Sequence, residues 1–158
     1  MTPRLIPALL CAALAPAACQ RVPDADRDAA LETVRRNVRS LQEKKIDEMM
    51  ETIHPRSPAF AGTRAEIANL LRDFDLRCEL AAIEVIGSRG GELRVRFEQL
   101  TERIKDGNAE PKTRLTGIHV LKKDGAVWKI FDTEIISAEV IDPLPTEQEP
   151  ADEKGTAP

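Results

Sequence analysis

Tyrosine is absent from this 158-residue chain, and the other aromatics amount to one Trp and four Phe, 3% of the residues. A groove that stacks successive bases of single-stranded nucleic acid needs more aromatic faces than this, and no mechanism can use a phenol. Histidine occurs twice and cysteine three times, at Cys11, Cys19 and Cys78. There is no CxxC and no His-Cys cluster, so neither a zinc site nor a disulfide framework is expected. A glycine-rich phosphate loop and a nucleophile elbow are also missing, which removes the kinase and hydrolase classes. Excess positive charge is lacking too: the formal charge is −4, which disfavours binding to polyphosphate backbones. No hydrophobic run approaches the roughly 20 residues that a mature membrane-spanning helix requires.

What remains is ordinary for a globular protein, with 42% hydrophobic and 32% charged residues. The length suits one domain. The two ends are read as lying outside it. Near the N-terminus, Arg4 precedes the apolar run Leu5–Ala15, and Ala15-Pro16-Ala17-Ala18 follows as a small-residue cleavage region, the layout of a signal peptide. The segment resembles a bacterial lipoprotein signal, because Ala17-Ala18 stands before Cys19. That resemblance implies that residues 1–18 are removed, that Cys19 carries a lipid anchor on the periplasmic face of a membrane, and that residues 19–25 form a linker. It departs from the pattern in having Pro16 where such signals usually have Leu. Lipidation would leave Cys78 alone, and a lone Cys78 is read as a small buried hydrophobe; simple secretion is the alternative, and with Cys19 free a Cys19–Cys78 bridge becomes conceivable. Beyond Asp142 the chain is rich in Pro and carries five acids against Lys154, a net −4. Residues 142–158 are read as a disordered acidic tail, since they offer little apolar surface to offset ordering entropy. The body between these ends is then nearly neutral.

Within the body the hydrophobic period changes once. Leu31, Val34, Val38 and Leu41 form a helical stripe, with Asp24 or Asp26 expected to cap its start and an end near Glu43. Arg35, Arg36 and Arg39 mark the solvated face of this helix. Ile46, Met49, Met50 and Ile53 make a second, short helix closed by Pro55, with His54 read as a helix-end or loop residue. Thr63-Arg64-Ala65-Glu66 reads as a capping box opening a third helix on which Ile67, Leu70, Leu71 and Phe74 lie. Extended patterns follow over residues 77–86, 92–104, 112–122 and 127–141, separated by Gly90-Gly91, Asp106-Gly107 and Asp124-Gly125 turns. Phe97 and Leu100 fall out of step, so a bulge is expected between them. Arg96, Arg103 and Arg114 are assigned to the outer, solvated sheet face. Helices first and then a meander give an α+β fold: three N-terminal helices packed on a curved antiparallel sheet of about four strands.

This order of elements, together with Ile53-His54-Pro55 and the closing Asp124-Gly125-Ala126-Val127-Trp128-Lys129-Ile130, resembles the nuclear-transport-factor-2-like (SnoaL-like) superfamily over residues 26–141. The resemblance implies a cone-shaped roll with a pocket between sheet and helices. It is almost silent on function, because members include isomerases, dehydratases, cyclases and many non-catalytic domains. The superfamily's isomerases rely on a pocket Tyr, which this chain lacks. Three residues are candidates for lining the pocket: His119, Trp128 and Asp132. The favoured reading is a non-catalytic domain with no cofactor and no metal, binding a small apolar ligand or a protein partner and able to pair through its sheet as a homodimer. The alternative is a small lyase or isomerase in which His119 and Asp132 act as an acid–base pair, which requires the two side chains to converge in an enclosed cavity.

Overall fold

The computed structural model describes residues 22–141. The signal segment, Cys19 and the acidic tail lie outside the described residues. Three helices, α1 (Asp24–Gln42), α2 (Ile46–Glu51) and α3 (Phe60–Asp73), precede five strands: β1 (Asp75–Arg89), β2 (Glu92–Lys105), β3 (Asn108–Ala109), β4 (Thr113–Asp124) and β5 (Val127–Val140). The long strands are antiparallel in the order β1-β2-β4-β5, with the two-residue β3 paired to β2. This is the expected α+β architecture. Among the described residues no helix is long and apolar enough to cross a membrane.

The hairpins follow from their turn residues. Gly90 and Gly91 both have positive φ, 59° and 80°, as does the pair Asp106 and Gly107, 52° and 80°. Two consecutive left-handed residues match the right-handed twist of the flanking strands.

The helix starts differ from the sequence reading. Pro23 occupies the position before α1 without a side-chain cap, so Asp24 and Asp26 fall inside the first turn. There their charge still complements the helix dipole. Asp26 also accepts hydrogen bonds from Trp128 Nε1 and Lys123 Nζ, each at 2.9 Å. The Trp128 bond first, and then Lys123, hold its carboxyl below the usual range. Likewise α3 begins one turn before the capping box expected at Thr63. The Thr63 hydroxyl donates back to Ala59 O (2.8 Å) from within the helix. The loop before it is ordered by Ser57 Oγ, which accepts the Ala59 amide at 3.3 Å.

Curvature resides in the edge strands. The expected bulge in β2 is not there, since β2 runs in unbroken register with β4 from Leu93↔Leu121 to Thr101↔Thr113. Instead Ala81 and Ile86 are extra residues in β1, and Phe131 and Ile136 in β5. An extra residue bends its strand and increases local twist, so bulges on both edges curl the sheet around the helices. The straight β2 also corrects one assignment. Positions 96 and 103 differ by an odd number, so Arg96 and Arg103 must face opposite ways. Arg96 pairs with Glu84 on the outer face, while Arg103 lies over the Phe74 ring, 5.2 Å from its centroid, and pairs with Glu110 at 2.7 Å.

The core forms where α1 crosses the sheet. Ala30 and Val34 of α1 meet Val85, Leu93, Val95, Leu121, Trp128 and Ile130. A second cluster, Met49, Met50 and Ile53, packs with Leu41, Ile46, Phe60 and Ile67 between the helices. Between these two clusters the layers do not close.

Candidate ligand-binding site

The gap between the clusters is a cavity of about 250 Å³. Its walls are largely aliphatic: Leu41 from α1, Met49 and Ile53 from α2, Ile67 from α3 and Ile130 from β5. Asn37, Ser57, Thr63, His119, Asp132 and Thr133 complete the lining, and most of their polar groups are already engaged within the protein. Asn37 Nδ2 donates to Thr52 Oγ1 (2.7 Å), which leaves the Asn37 carbonyl oxygen as an acceptor for an occupant. Thr63 and Ser57 spend their hydroxyls on α3 and the loop before it.

One side of the cavity is closed by a backbone clamp. Ile130 N–H donates to Thr52 O and His54 N–H donates to Ile130 O, both at 2.8 Å, so the chain leaving α2 bridges to β5 beside Ile53. His54 is the hinge of this clamp. It is 1% exposed, its Nδ1 accepts the Arg56 amide at 3.0 Å, and its ring meets Phe131 edge-on at 5.6 Å. Of the two readings of His54 the loop one holds, since it lies beyond the Thr52 cap of α2, at a depth that Pro55 did not signal.

His119 supplies the distinctive chemistry. It lines the cavity from β4, and its Nδ1 lies 2.8 Å from Thr133 Oγ1, directly opposite in the register. Its ring stacks on Phe97 at 4.2 Å with an interplanar angle of 14°. That stack depends on Gly117, the residue facing Phe97 across the strands. A Cβ on Gly117 would sit 2.7 Å from the Phe97 ring and 2.7 Å from Glu134 O, so no larger residue fits without displacing either. Half-buried against Phe97 at the cavity wall, His119 is pushed down to about 4 by burial, which disfavours the imidazolium. At neutral pH it is an uncharged hydrogen-bonding group on a mostly greasy wall.

The three sequence candidates therefore separate. His119 lines the cavity. Asp132 reaches it as well, but at the Phe131 bulge and on an exposed backbone segment, where its carboxylate accepts its neighbour's amide, Thr133 N–H, at 2.8 Å. Asp132 pairs in register with Val120, not with His119, so its side chain alternates to the other face and the two do not form a hydrogen-bonded pair. Trp128 is not a lining residue. It is 6% exposed and packs in the α1 core, where its indole N–H is held by Asp26. Sequence reading missed Asn37, Thr133 and Gly117. The first two carry no local signal, but a glycine in the middle of an alternating strand marks a place of close approach.

Helices over a curled antiparallel sheet with a cavity at their junction define a nuclear-transport-factor-2-like, cystatin-type fold, and solved structures agree. A candidate aromatic ring hydroxylase from Novosphingobium aromaticivorans superposes with TM-score 0.64 at 14% identity, covering 78% of this chain and 94% of that one. A protein of unknown function with a cystatin-like fold from Nostoc punctiforme gives 0.59 at 14% identity, covering 78% and 98%. An NTF2-like protein with a cystatin-like fold, also from N. aromaticivorans, gives 0.55 at 14% identity, covering 71% and 81%. Identities this low speak for the fold alone. Residues 32–141 match the family described as anti-sigma-I factor RsgI9, C-terminal domain, and the chain belongs to that family. No curated protein matches it.

Proposed function

We propose that this chain is a non-catalytic binding domain that takes a small, uncharged, largely apolar molecule into the cavity between helices and sheet. The observation that carries this reading is a 250 Å³ aliphatic cavity whose one imidazole is kept neutral and is hydrogen-bonded to a hydroxyl. Among the described residues no Lys or Arg lines it, so no side chain there would balance the charge of a buried anion. An apolar body with a single hydroxyl or carbonyl fits this lining, with the polar group left to Asn37 or His119. The acid–base alternative loses its main support, because a general base needs an orienting partner and Asp132 does not provide one. Related folds host enzymes, but fold alone does not choose. Membership in a family named for a regulator supports a sensory use, in which occupancy of the cavity is the signal. The signal-like segment before Cys19 supports export and a lipid anchor facing the periplasm, where such a sensor would meet its ligand.

A matched pair of probes tests the cavity. 2-Naphthol should shift the His119 ring resonances of the full chain, and 2-naphthoate, of the same size but anionic, should not. Thr63→Phe, which fills the cavity from α3, should abolish the naphthol effect while leaving the fold intact. Equal binding of both probes, or binding unaffected by Thr63→Phe, would refute the reading. For the anchor, palmitate label should enter the wild-type chain in bacterial cells and be lost in Cys19→Ser; label retained in that variant would reject it.

A further inference from the structure

The outer edge of β5 changes character at Phe131. Before Phe131 the edge is occupied at Ile130 by the clamp from Thr52 and His54 and at Trp128 O by the Thr33 hydroxyl. From Asp132 to Val140 no described residue pairs with that side of β5, which ends the sheet. The same stretch exposes Ile135, Ile136 and Val140 by 50, 55 and 64%. In register, Ile135 and Val140 fall on the face shared with Gly117 and His119 of β4, with Ala138 between them. Natural proteins protect such an edge with Lys, Pro or a covering element. Residues 132–140 hold neither Lys, Arg nor Pro, and their only charged side chains are Asp132, Glu134 and Glu139.

The charge pattern selects the occupant. Glu134 is already paired with Arg94 of β2 at 3.2 Å, but a second copy pairing edge to edge would still bring Asp132 and Glu139 of both copies together with no base in either stretch, and like charges across a strand pair are destabilising. A basic strand meets no such penalty. We propose that the 132–140 edge of β5 docks an extended segment of a partner protein, added as the next strand, with aliphatic side chains over Ile135 and Val140 and alternate Lys or Arg side chains facing the acids. Main-chain hydrogen bonds supply the affinity and the alternating side chains the selectivity. The edge starts at the rim of the cavity, where Asp132 and Thr133 also line it, but the proposal does not rest on what the cavity holds.

Hydrogen exchange on the full chain tests it, with an end-blocked nine-residue peptide alternating Val and Lys as the probe. The amides of residues 133–140 should exchange at least tenfold more slowly with this peptide, and the effect should weaken as salt is raised. A peptide alternating Val and Glu should give no protection. Glu134→Lys combined with Glu139→Lys, both at exposed positions, should reverse the preference, circular dichroism confirming that the variant is folded. Absence of protection, equal protection by both peptides, or concentration-dependent dimerisation that slows the same amides without peptide would overturn the proposal.

Discussion

Acidification should begin to destabilise this domain through His119 before its carboxylates are involved. Burial holds the folded imidazole near 4, against 6.5 for the free side chain. Between these values the unfolded chain takes up a proton that the folded chain refuses, so stability is fully present above about pH 6.5 and is lost as pH falls toward 4. With those two values, linkage gives a loss of about 2 kcal/mol by pH 5 and about 3 kcal/mol by pH 4, relative to neutral pH. Below pH 4 the folded imidazole protonates as well and this contribution levels off. The carboxylates act in a lower window. Asp26, bonded to Trp128 and Lys123, and Asp124, bonded to Lys129, are both lowered from 3.8, so their stabilisation is lost only as pH falls below that value. Urea melts between pH 4 and 7.5 measure the slope. His119→Gln keeps a hydrogen-bonding partner for Thr133 without an imidazole to charge, and the difference between the two proteins isolates His119 from His54, the other histidine. Equal slopes in wild type and His119→Gln would refute the argument that His119 is held neutral by its surroundings.

Three further substitutions probe the supports of the site. Gly117→Ala should cost about 1–3 kcal/mol by overpacking and push the Phe97 ring off His119, read as a lowered Tm with a downfield change at the His119 ring protons. Leu121→Ala, at a fully buried position between Leu93 and Ile130, should cost about 3 kcal/mol, or roughly 10 °C in Tm for a domain of this size; a shift below 3 °C would mean the core is not centred there. Asp26→Asn removes the charge that holds Lys123 and weakens the acceptor for the indole, and because Trp128 is the single Trp, its emission should move to longer wavelength; an unchanged spectrum would show that packing alone positions the ring.

The sequence carried the architecture because the period of its apolar residues is unambiguous over long segments. The stripe Leu31, Val34, Val38 and Leu41 predicts α1, and the Gly-Gly, Asp-Gly and Asp-Gly turns fix every hairpin. Local capping was less legible. Thr63 and Glu66 satisfy a capping pattern, yet the helix starts three residues earlier, because the Ser57 hydroxyl and the Ala59 backbone already supply the first turn. The site itself was half visible. A lone His on an apolar strand face points inward by alternation, but whether Asp132 joins it depends on the strand's phase, and a single inserted residue reverses that phase.

The bulges therefore decide the site, and their traces were present in the sequence. In β1 the inward series Leu76, Cys78 and Leu80 resumes at Ile83 and Val85, one step late, across Ala81-Ala82. In β5 the series Trp128 and Ile130 resumes at Thr133 and Ile135, and again at Ala138 and Val140, with Phe131 and Ile136 as the extra residues. Phase slips, in place of isolated misfits, move the bulge from β2 to the edge strands β1 and β5, put Arg103 on the face opposite Arg96, and separate Asp132 from His119. The two slips in β5 also have different physical consequences. The one at Phe131 turns the strand where the clamp from His54 meets it and opens the cavity wall, whereas the one at Ile136 lies beyond the clamp and turns an isoleucine toward solvent. The second leaves aliphatic surface uncovered on an edge with no base to guard it, which is a cost that folding alone does not explain.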